Sequence, residues 1–371
     1  MKKSLRYNQV QIEEDLKTKM VLLSGPRQVG KTTLAKQIPN SFYMNWDIPE
    51  DREKILRREW PVGKKIWILD EIHKFRNWRS LLKGLYDKYH GETEILVTGS
   101  ARLDAYRRGG DSLQGRYFFH RLHPFSWNEL GLKNKKEITD LLEFGGFPEP
   151  LFKQNKQFHK RWLRDYRTRL IQEDLVSLEK IQDLGNLELL SLLLPARVGS
   201  PLSYASLSRD IQISPKTALN WVNVLERLYS IFLISSYQKK TIRSVKKEKK
   251  HYHWDWSLVE SPSARLENLV ASHLLKWVHK LQDQEGDDID LYFFRDTDGR
   301  EVDFVVANRK KPVIAVEVKL ADEEIHKPLK YFLNKFPNTE CWQVHLNGNK
   351  SYQSQEGIRV GHVVELLARL A

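Results

Sequence analysis

Val21-Leu22-Leu23-Ser24-Gly25-Pro26-Arg27-Gln28-Val29-Gly30-Lys31-Thr32-Thr33-Leu34-Ala35-Lys36-Gln37-Ile38 is the stretch from which the rest of the chain can be read. Its apolar opening, Val21 to Leu23, suits a buried strand. Gly25 to Thr32 fits G-x-x-x-x-G-K-[ST], and Thr33 to Ile38 continues with helical spacing. Strand, glycine-bounded loop and helix in that order are the context of a phosphate-binding P-loop. Gly25 and Gly30 let the backbone of Pro26, Arg27, Gln28 and Val29 curl into a nest whose N–H groups face phosphate oxygens. The helix opening at Lys31, Thr32 and Thr33 adds its positive end. Lys31 is expected to reach the β- and γ-phosphates, and the Thr32 hydroxyl to ligate Mg²⁺. ATP and Mg²⁺ are therefore the expected ligands.

At 371 residues and 40% hydrophobic content, the chain has room for two or three domains, each with its own core. No apolar run is long enough to span a bilayer. The basic start, Met1 to Arg6, is followed by a polar stretch rather than a secretory apolar one, so the cytoplasm is the expected location. A single cysteine, Cys341, excludes an internal disulfide framework and fits a reducing compartment. Lys plus Arg outnumber Asp plus Glu by 61 − 48 = 13. That excess favours a polyanionic partner such as nucleic acid, and a generic basic surface is the other reading.

Residues 5 to 19 read as a polar amphipathic helix, Ser41 to Asn45 as a second strand, and 49 to 59 as a helix. Lys65 to Glu71 forms a third strand, apolar until its last two residues. Open α/β sheets place ligands beyond the carboxyl ends of their strands, so the pair Asp70-Glu71 is informative. Asp70 is read as the Mg²⁺-holding Walker B aspartate and Glu71 as the residue that polarises the attacking water. The fourth strand, Glu94 to Thr98, ends in Thr98-Gly99-Ser100. Ser100 is either a sensor that holds the hydrolytic water or part of a glycine turn. Arg102, Arg107, Arg108 and Arg116 then cluster around Gly109-Gly110 and Gly115. One of them could serve a neighbouring subunit of a homo-oligomer as an arginine finger, with Arg116 the first choice and Arg107 or Arg108 next; solvated arginines are the other reading.

Gly25-Pro26-Arg27-Gln28-Val29-Gly30-Lys31-Thr32, Ile68-Leu69-Asp70-Glu71-Ile72-His73, Thr98-Gly99-Ser100 and Gly115-Arg116 resemble a family of prokaryotic AAA-type ATPases with a C-terminal domain of uncharacterised function. The resemblance implies an AAA+ P-loop ATPase up to about residue 130. Trp67 stands where that family's Walker B strand has a small aliphatic residue.

Beyond a polar linker at 131 to 137, a Gly145-Gly146-Phe147-Pro148 turn precedes a helical stretch from 156 to 194. Tyr204 to Arg209 and Ala218 to Leu228 read as two helices, with Ser214 as N-cap, Pro215 at the first helical position, and Trp221, Val222, Leu225 and Leu228 on the buried face. Strands at 231 to 237 and 250 to 256 then flank the basic segment 239 to 249, a winged-helix outline. As a DNA reader it would use Lys216, Asn220 and Asn223; as a packing module its lysines would be a solvated wing. His251 and His253 read as surface residues without a metal set.

Arg265 to Val278 is a helix bearing Glu267. Strands at 291 to 295, 300 to 306 and 312 to 320 follow. On the last, Glu317 and Lys319 share a face, and Asp303 can join them across the sheet. Two carboxylates and a lysine so placed can bind Mg²⁺ and activate water, or can merely pair as ions. The D-x(n)-E-x-K order resembles the restriction-endonuclease-like fold, which implies a nuclease-like site of Glu267, Asp303, Glu317 and Lys319. The expected architecture is α/β throughout: a P-loop AAA+ ATPase domain at 1–132, a helical and winged-helix domain at 133–260, and a restriction-endonuclease-like domain at 261–371. Two functions are compatible with it. In one, ATP hydrolysis drives action on nucleic acid through the nuclease-like domain. In the other, the protein is an ATP-dependent binding switch whose nuclease-like domain is inactive and recognises DNA or protein.

Overall fold

A computed structural model describes residues 6–61, 63, 65–99, 113–171, 183–237 and 249–370. They fall into two compact units, the first comprising residues up to His123 together with Arg227–Tyr229, and the second Pro124–Glu226 and everything from Ser230.

The short apolar runs of the first unit become a parallel sheet. β1 (Met20–Ser24), β2 (Ser41–Asn45), β3 (Ile66–Asp70), β4 (Glu94–Thr98) and β5 (Tyr117–Arg121) lie in the order β2-β3-β4-β1-β5. β1 and β3 are buried along their whole length, as expected of strands covered on both faces. α1 (Gln9–Leu16) precedes β1, α2 (Lys31–Gln37) follows it, and α3 (Pro49–Arg57) and α4 (Trp78–Tyr89) make the next crossovers. α4 buries Trp78, Leu82 and Leu85, spaced at three and four residues, against a core that includes Met44, Trp67, Leu69 and Val97. Trp67 is accommodated by neighbours its own size. It stacks on Trp60 with centroids 4.9 Å apart and meets Tyr89 edge-on at 5.0 Å. Truncating so buried an indole costs about 3–5 kcal/mol.

Arg227–Tyr229 completes this unit from far along the chain. The Tyr229 hydroxyl lies 2.9 Å from that of Ser24, the last residue of β1.

The second unit begins with α5 (Glu137–Phe144), α6 (Pro148–Lys153) and α7 (Lys156–Arg169). α8 (Leu184–Leu193), α9 (Tyr204–Asp210) and α10 (Pro215–Arg227) follow. Ser214 caps α10, its Oγ accepting from Thr217 N at 3.0 Å, and Trp221, Val222 and Leu225 are buried as expected. Lys216 and Asn220 are exposed.

β6 (Ile231–Ser236) and β7 (Lys249–His253) form an antiparallel hairpin. β6 also pairs in parallel with β8 (Ile289–Arg295) through Ser235–Tyr292 and Ser236–Phe293. The hairpin is thus the edge of one mixed sheet that continues through β9 (Glu301–Asn308), β10 (Lys311–Ala321), β11 (Glu340–Asn347), β13 (Arg359–His362) and β12 (Tyr352–Gln353). The sheet crosses the division expected near residue 260.

α11 (Pro262–Lys280) packs on the sheet and buries eleven of its residues; α12 (Lys327–Lys335) and α13 (Val363–Arg369) complete the cover. His251 and His253 are not surface residues but 0% and 1% exposed. Burial depresses their pKa values to about 4 and about 3, and the Leu194 carbonyl accepts from His251 Nε2 at 2.8 Å.

Candidate functional site

Gly25 and Gly30 take φ values of 149° and 104° at the two ends of the P-loop. A Cβ on Gly25 would stand 2.4 Å from the Leu122 carbonyl oxygen, so no larger residue fits there. Gln28, between them, is also left-handed at φ 60°. The loop is held from behind by Arg6, which donates to the carbonyls of Val29 at 2.7 Å and His123 at 2.5 Å. Lys31 is buried, and its ammonium donates to the Gly25 and Pro26 carbonyls at 2.9 and 2.7 Å.

β1, β4 and β3 lie side by side, so their carboxyl ends gather the polar residues. Asp70 accepts three hydroxyls: Thr32 Oγ1 at 2.8 Å and Tyr43 Oη at 2.6 Å on Oδ2, and Thr98 Oγ1 at 2.5 Å on Oδ1. Asn45 Nδ2 in turn donates to Tyr43 Oη at 3.1 Å. Burial first, and then Asp70, raises the Tyr43 pKa above its ordinary value, so the phenol stays a donor.

Glu71 sits at φ 57°, an uncommon conformation for a side-chain-bearing residue and typical of functional sites. Its Oε2 lies 3.4 Å from Lys74 Nζ and 3.6 Å from His73 Nε2, and Lys74 also donates to Asp47. Burial raises the Glu71 pKa, opposed by Lys74 and Lys31. A raised pKa makes the carboxylate a stronger base than a free one.

The structure therefore gathers Gly25 to Thr33, Asp70 and Glu71 in one place. Ser100, Arg102, Arg107 and Arg108 lie outside the described residues. Thr98, two residues before Ser100, supplies the strand-end hydroxyl that touches Asp70. Arg116 is not in this site. It precedes β5 at the opposite end of the sheet, where its Nε donates to Asp87 at 2.9 Å. Tyr43 and Arg6 escaped the sequence reading. Tyr43 could have been found by alternation, since it points the same way as Asn45 at a strand end beside Asp70. Arg6 had no motif to mark it.

Thr32 and Asp70 present a hydroxyl and a carboxylate oxygen 2.8 Å apart, hard oxygen donors of the kind Mg²⁺ prefers. These residues fit the cation.

In the second unit, Glu267 on α11, Asp303 on β9, and Glu317 and Lys319 on β10 also converge. Glu317 is buried, with its Oε1 2.9 Å from Lys319 Nζ and 2.8 Å from His326 Nδ1. Asp303 accepts from Val318 N at 2.8 Å. Burial, then Glu317 and Glu267, lifts the Asp303 pKa well above the carboxylate range. Tyr252 donates to Glu267 Oε1 at 2.7 Å.

Lys250, expected from the sequence as the first residue of the strand after the basic segment, stands beside Glu267 and Glu301. It is ion-paired with Glu301, 4.0 Å from Glu267, and 1% exposed. Burial lowers its pKa, but Glu267, Asp303 and Glu301 together outweigh this and keep it charged. No group of three or more His, Cys, Asp or Glu side chains among the described residues is arranged to hold a metal ion. The second cluster, with an ammonium already among its carboxylates, does not fit a divalent cation as it stands.

Residues 17–131 match the AAA domain family, 135–265 a domain of unknown function (DUF8612), and 263–366 another (DUF4143). An uncharacterized protein of Methanocaldococcus jannaschii is 23% identical over 365 residues, covering 86% of this chain and 80% of that one. An uncharacterized protein of Mycobacterium tuberculosis is 24% identical over 212 residues, 56% of this chain and 47% of its own. The match thus spans about half the mycobacterial relative.

Among solved structures, the Aeropyrum pernix ORC1 protein in complex with DNA aligns at TM-score 0.34 and 13% identity, over 73% of this chain and 95% of that one. Thermotoga maritima RuvB aligns at TM-score 0.30 and 17% identity, over 62% and 89%. No described helix is long and apolar enough to cross a membrane. With its P-loop, its acidic strand end and the family match over the same residues, the first unit carries an AAA-type P-loop ATPase domain.

Proposed function

We propose that the first unit hydrolyses ATP and that the cycle switches the binding of a partner by the second unit, nucleic acid being the partner class. The meeting of Thr32, Thr98 and Tyr43 on Asp70, with Glu71 beside them, is the observation that carries the hydrolytic part. In the reaction, a water oxygen attacks the γ-phosphorus in line, the bond to the bridging oxygen breaks, and ADP and phosphate leave. Glu71 takes the proton of the attacking water. Lys31 exchanges the carbonyls of Gly25 and Pro26 for phosphate oxygens, trading neutral acceptors for charged ones and so forming stronger hydrogen bonds. Mg²⁺, held by Thr32 and Asp70, would neutralise phosphate charge when bound. Arg116 would act only toward a neighbouring subunit's nucleotide, since it stands away from its own.

Two features support a binding rather than a cleaving role for the second unit. Its Glu267 and Glu317 are already met by Lys250 on the one and by Lys319 and His326 on the other. The net charge of +13 favours a polyanion. The convergence of Asp303, Glu317 and Lys319 favours the second reading, in which this unit cuts phosphodiesters.

One set of assays on one preparation separates them. ATP turnover stimulated by DNA, with no Mg²⁺-dependent nicking, is the expected result. Nicking that Asp303→Asn abolishes would establish the cleaving reading, and a flat turnover across a DNA titration would remove nucleic acid as partner. Lys31→Ala should abolish ATP binding by calorimetry; undiminished heat would refute the P-loop role.

A further inference from the structure

Lys250 is one of the largest fully buried side chains of the molecule. It enters the acidic cluster from β7, four strands along the sheet from β10, and its ammonium bonds the Glu301 carboxylate. The same nitrogen is 4.0 Å from Glu267 Oε1 and 5.3 Å from the centre of the Phe293 ring. One ammonium thus serves acids from α11 and β9, while Lys319 and His326 meet Glu317 on β10.

The cover over this ammonium is built to close. Gly199 lies against Glu267 so tightly that a Cβ would stand 2.7 Å from its Oε2 and 2.9 Å from its Oε1, and its φ of 79° disfavours any side chain. The residues that follow are tied to the strand carrying Lys250. Leu202 N donates to Lys249 O at 2.7 Å, and Pro201 bridges to Lys250. Strand, loop and ammonium therefore form one cap.

A divalent cation in this cluster would need several oxygen ligands and room for its retained waters. It would also meet a fixed positive charge, itself buried, that cannot move aside without giving up its ion pair with Glu301.

We propose that Lys250 is the resident cation of the acidic cluster, which excludes divalent metal as the protein stands and becomes a divalent-cation site once that ammonium is removed. The proposal rests on the reading of the second unit as nuclease-like in layout but non-cleaving. It adds the residue responsible and predicts that the carboxylates remain competent metal ligands.

The test titrates Mn²⁺ into nucleotide-free, full-length protein and follows free Mn²⁺ by electron paramagnetic resonance. Asp70→Asn is present throughout to silence the nucleotide site. With Lys250 intact, no binding that depends on Asp303 is expected. Lys250→Met should bind one Mn²⁺ per chain, at least about tenfold more tightly, and adding Glu317→Gln should remove it. Lys250→Arg, which keeps the charge, should behave like the parent.

Binding by the parent that Asp303→Asn abolishes would overturn the proposal, as would a folded Lys250→Met that binds nothing. If Lys250→Met does not fold without metal, Mn²⁺ should restore its cooperative melting, because the ion replaces the lost charge. The double variant Lys250→Met with Glu301→Gln, which removes both members of the ion pair, carries the same expectation. Failure of Mn²⁺ to restore or bind either variant counts against the proposal. Nicking by the wild type would sink the non-cleaving reading itself, whereas Mn²⁺ binding by the parent without nicking sinks only the role given to Lys250.

Discussion

Both units gather carboxylates at the ends or faces of strands, and they treat them in opposite ways. Asp70 is surrounded by neutral donors, the hydroxyls of Thr32, Tyr43 and Thr98, which orient it and leave its charge uncancelled. Glu301 and Glu317 are met by ammonium groups, Lys250 on one and Lys319 on the other. Hydroxyls can yield their acceptor to an arriving cation at little cost, because they remain hydrogen-bonding groups of either sign. A buried ammonium cannot, since its departure strands a charge. The contrast distinguishes a site prepared for an ion from one already holding its own.

The largest effect should separate the two units at Glu71. Glu71→Gln should lower kcat by 10²- to 10⁴-fold while ATP affinity changes little, as measured by steady-state turnover and calorimetry. Turnover within a few-fold of wild type would move the proton acceptor elsewhere.

Next, the paired nature of the second cluster can be broken directly. Glu301→Ala, leaving Lys250 buried without its bonded partner, should cost about 3 kcal/mol in denaturant unfolding. Replacing both Lys250 and Glu301 with Met should cost much less; equal losses would show that packing rather than charge is at stake.

Acid should sharpen the same contrast. His251 and His253 stay neutral in the fold down to about 4 and about 3, whereas the unfolded chain takes up their protons near pH 6.5. Stability is therefore full above pH 6.5 and falls as the pH drops toward 4, by on the order of 3 kcal/mol for each histidine. Calorimetry between pH 7 and 4 should show the transition containing β7 moving down first, and His253→Phe should blunt the shift.

The smallest effect belongs to Tyr43. Tyr43→Phe removes one of three donors to Asp70 and should raise the half-saturating Mg²⁺ concentration by several-fold, about 1 kcal/mol, with maximal turnover preserved.

The first unit was largely legible in the sequence, because fully buried parallel strands are continuous apolar runs and the glycine loop has a fixed spacing. Val21–Leu23, Ile66–Leu69 and Ile95–Val97 announce themselves this way. Partners distant in the chain did not. Tyr43 meets Asp70 across 27 positions and Arg6 meets His123 across 117, and neither carries a local pattern.

In the second unit the convergence of Glu267, Asp303, Glu317 and Lys319 followed from helix and strand order, but what neutralises it did not. Lys250 reads as one more lysine after a basic segment until β6 is seen to pair with β8 and bring the hairpin onto the sheet. That same pairing buries His251 and His253, which period-two alternation alone had placed on a surface. The short strands β12 and β13 were missed because two and four residues carry too little alternation to count.

Tyr229 has a practical consequence for anyone dividing this polypeptide. The segment Arg227–Tyr229 belongs to the ATPase unit although a hundred residues of the other unit precede it and the remainder follow. A fragment cut after residue 132 would lack the hydroxyl beside Ser24 at the foot of the P-loop. The nucleotide-binding part is thus assembled from two stretches of chain, and its folding cannot finish until translation has passed well beyond the first two hundred residues.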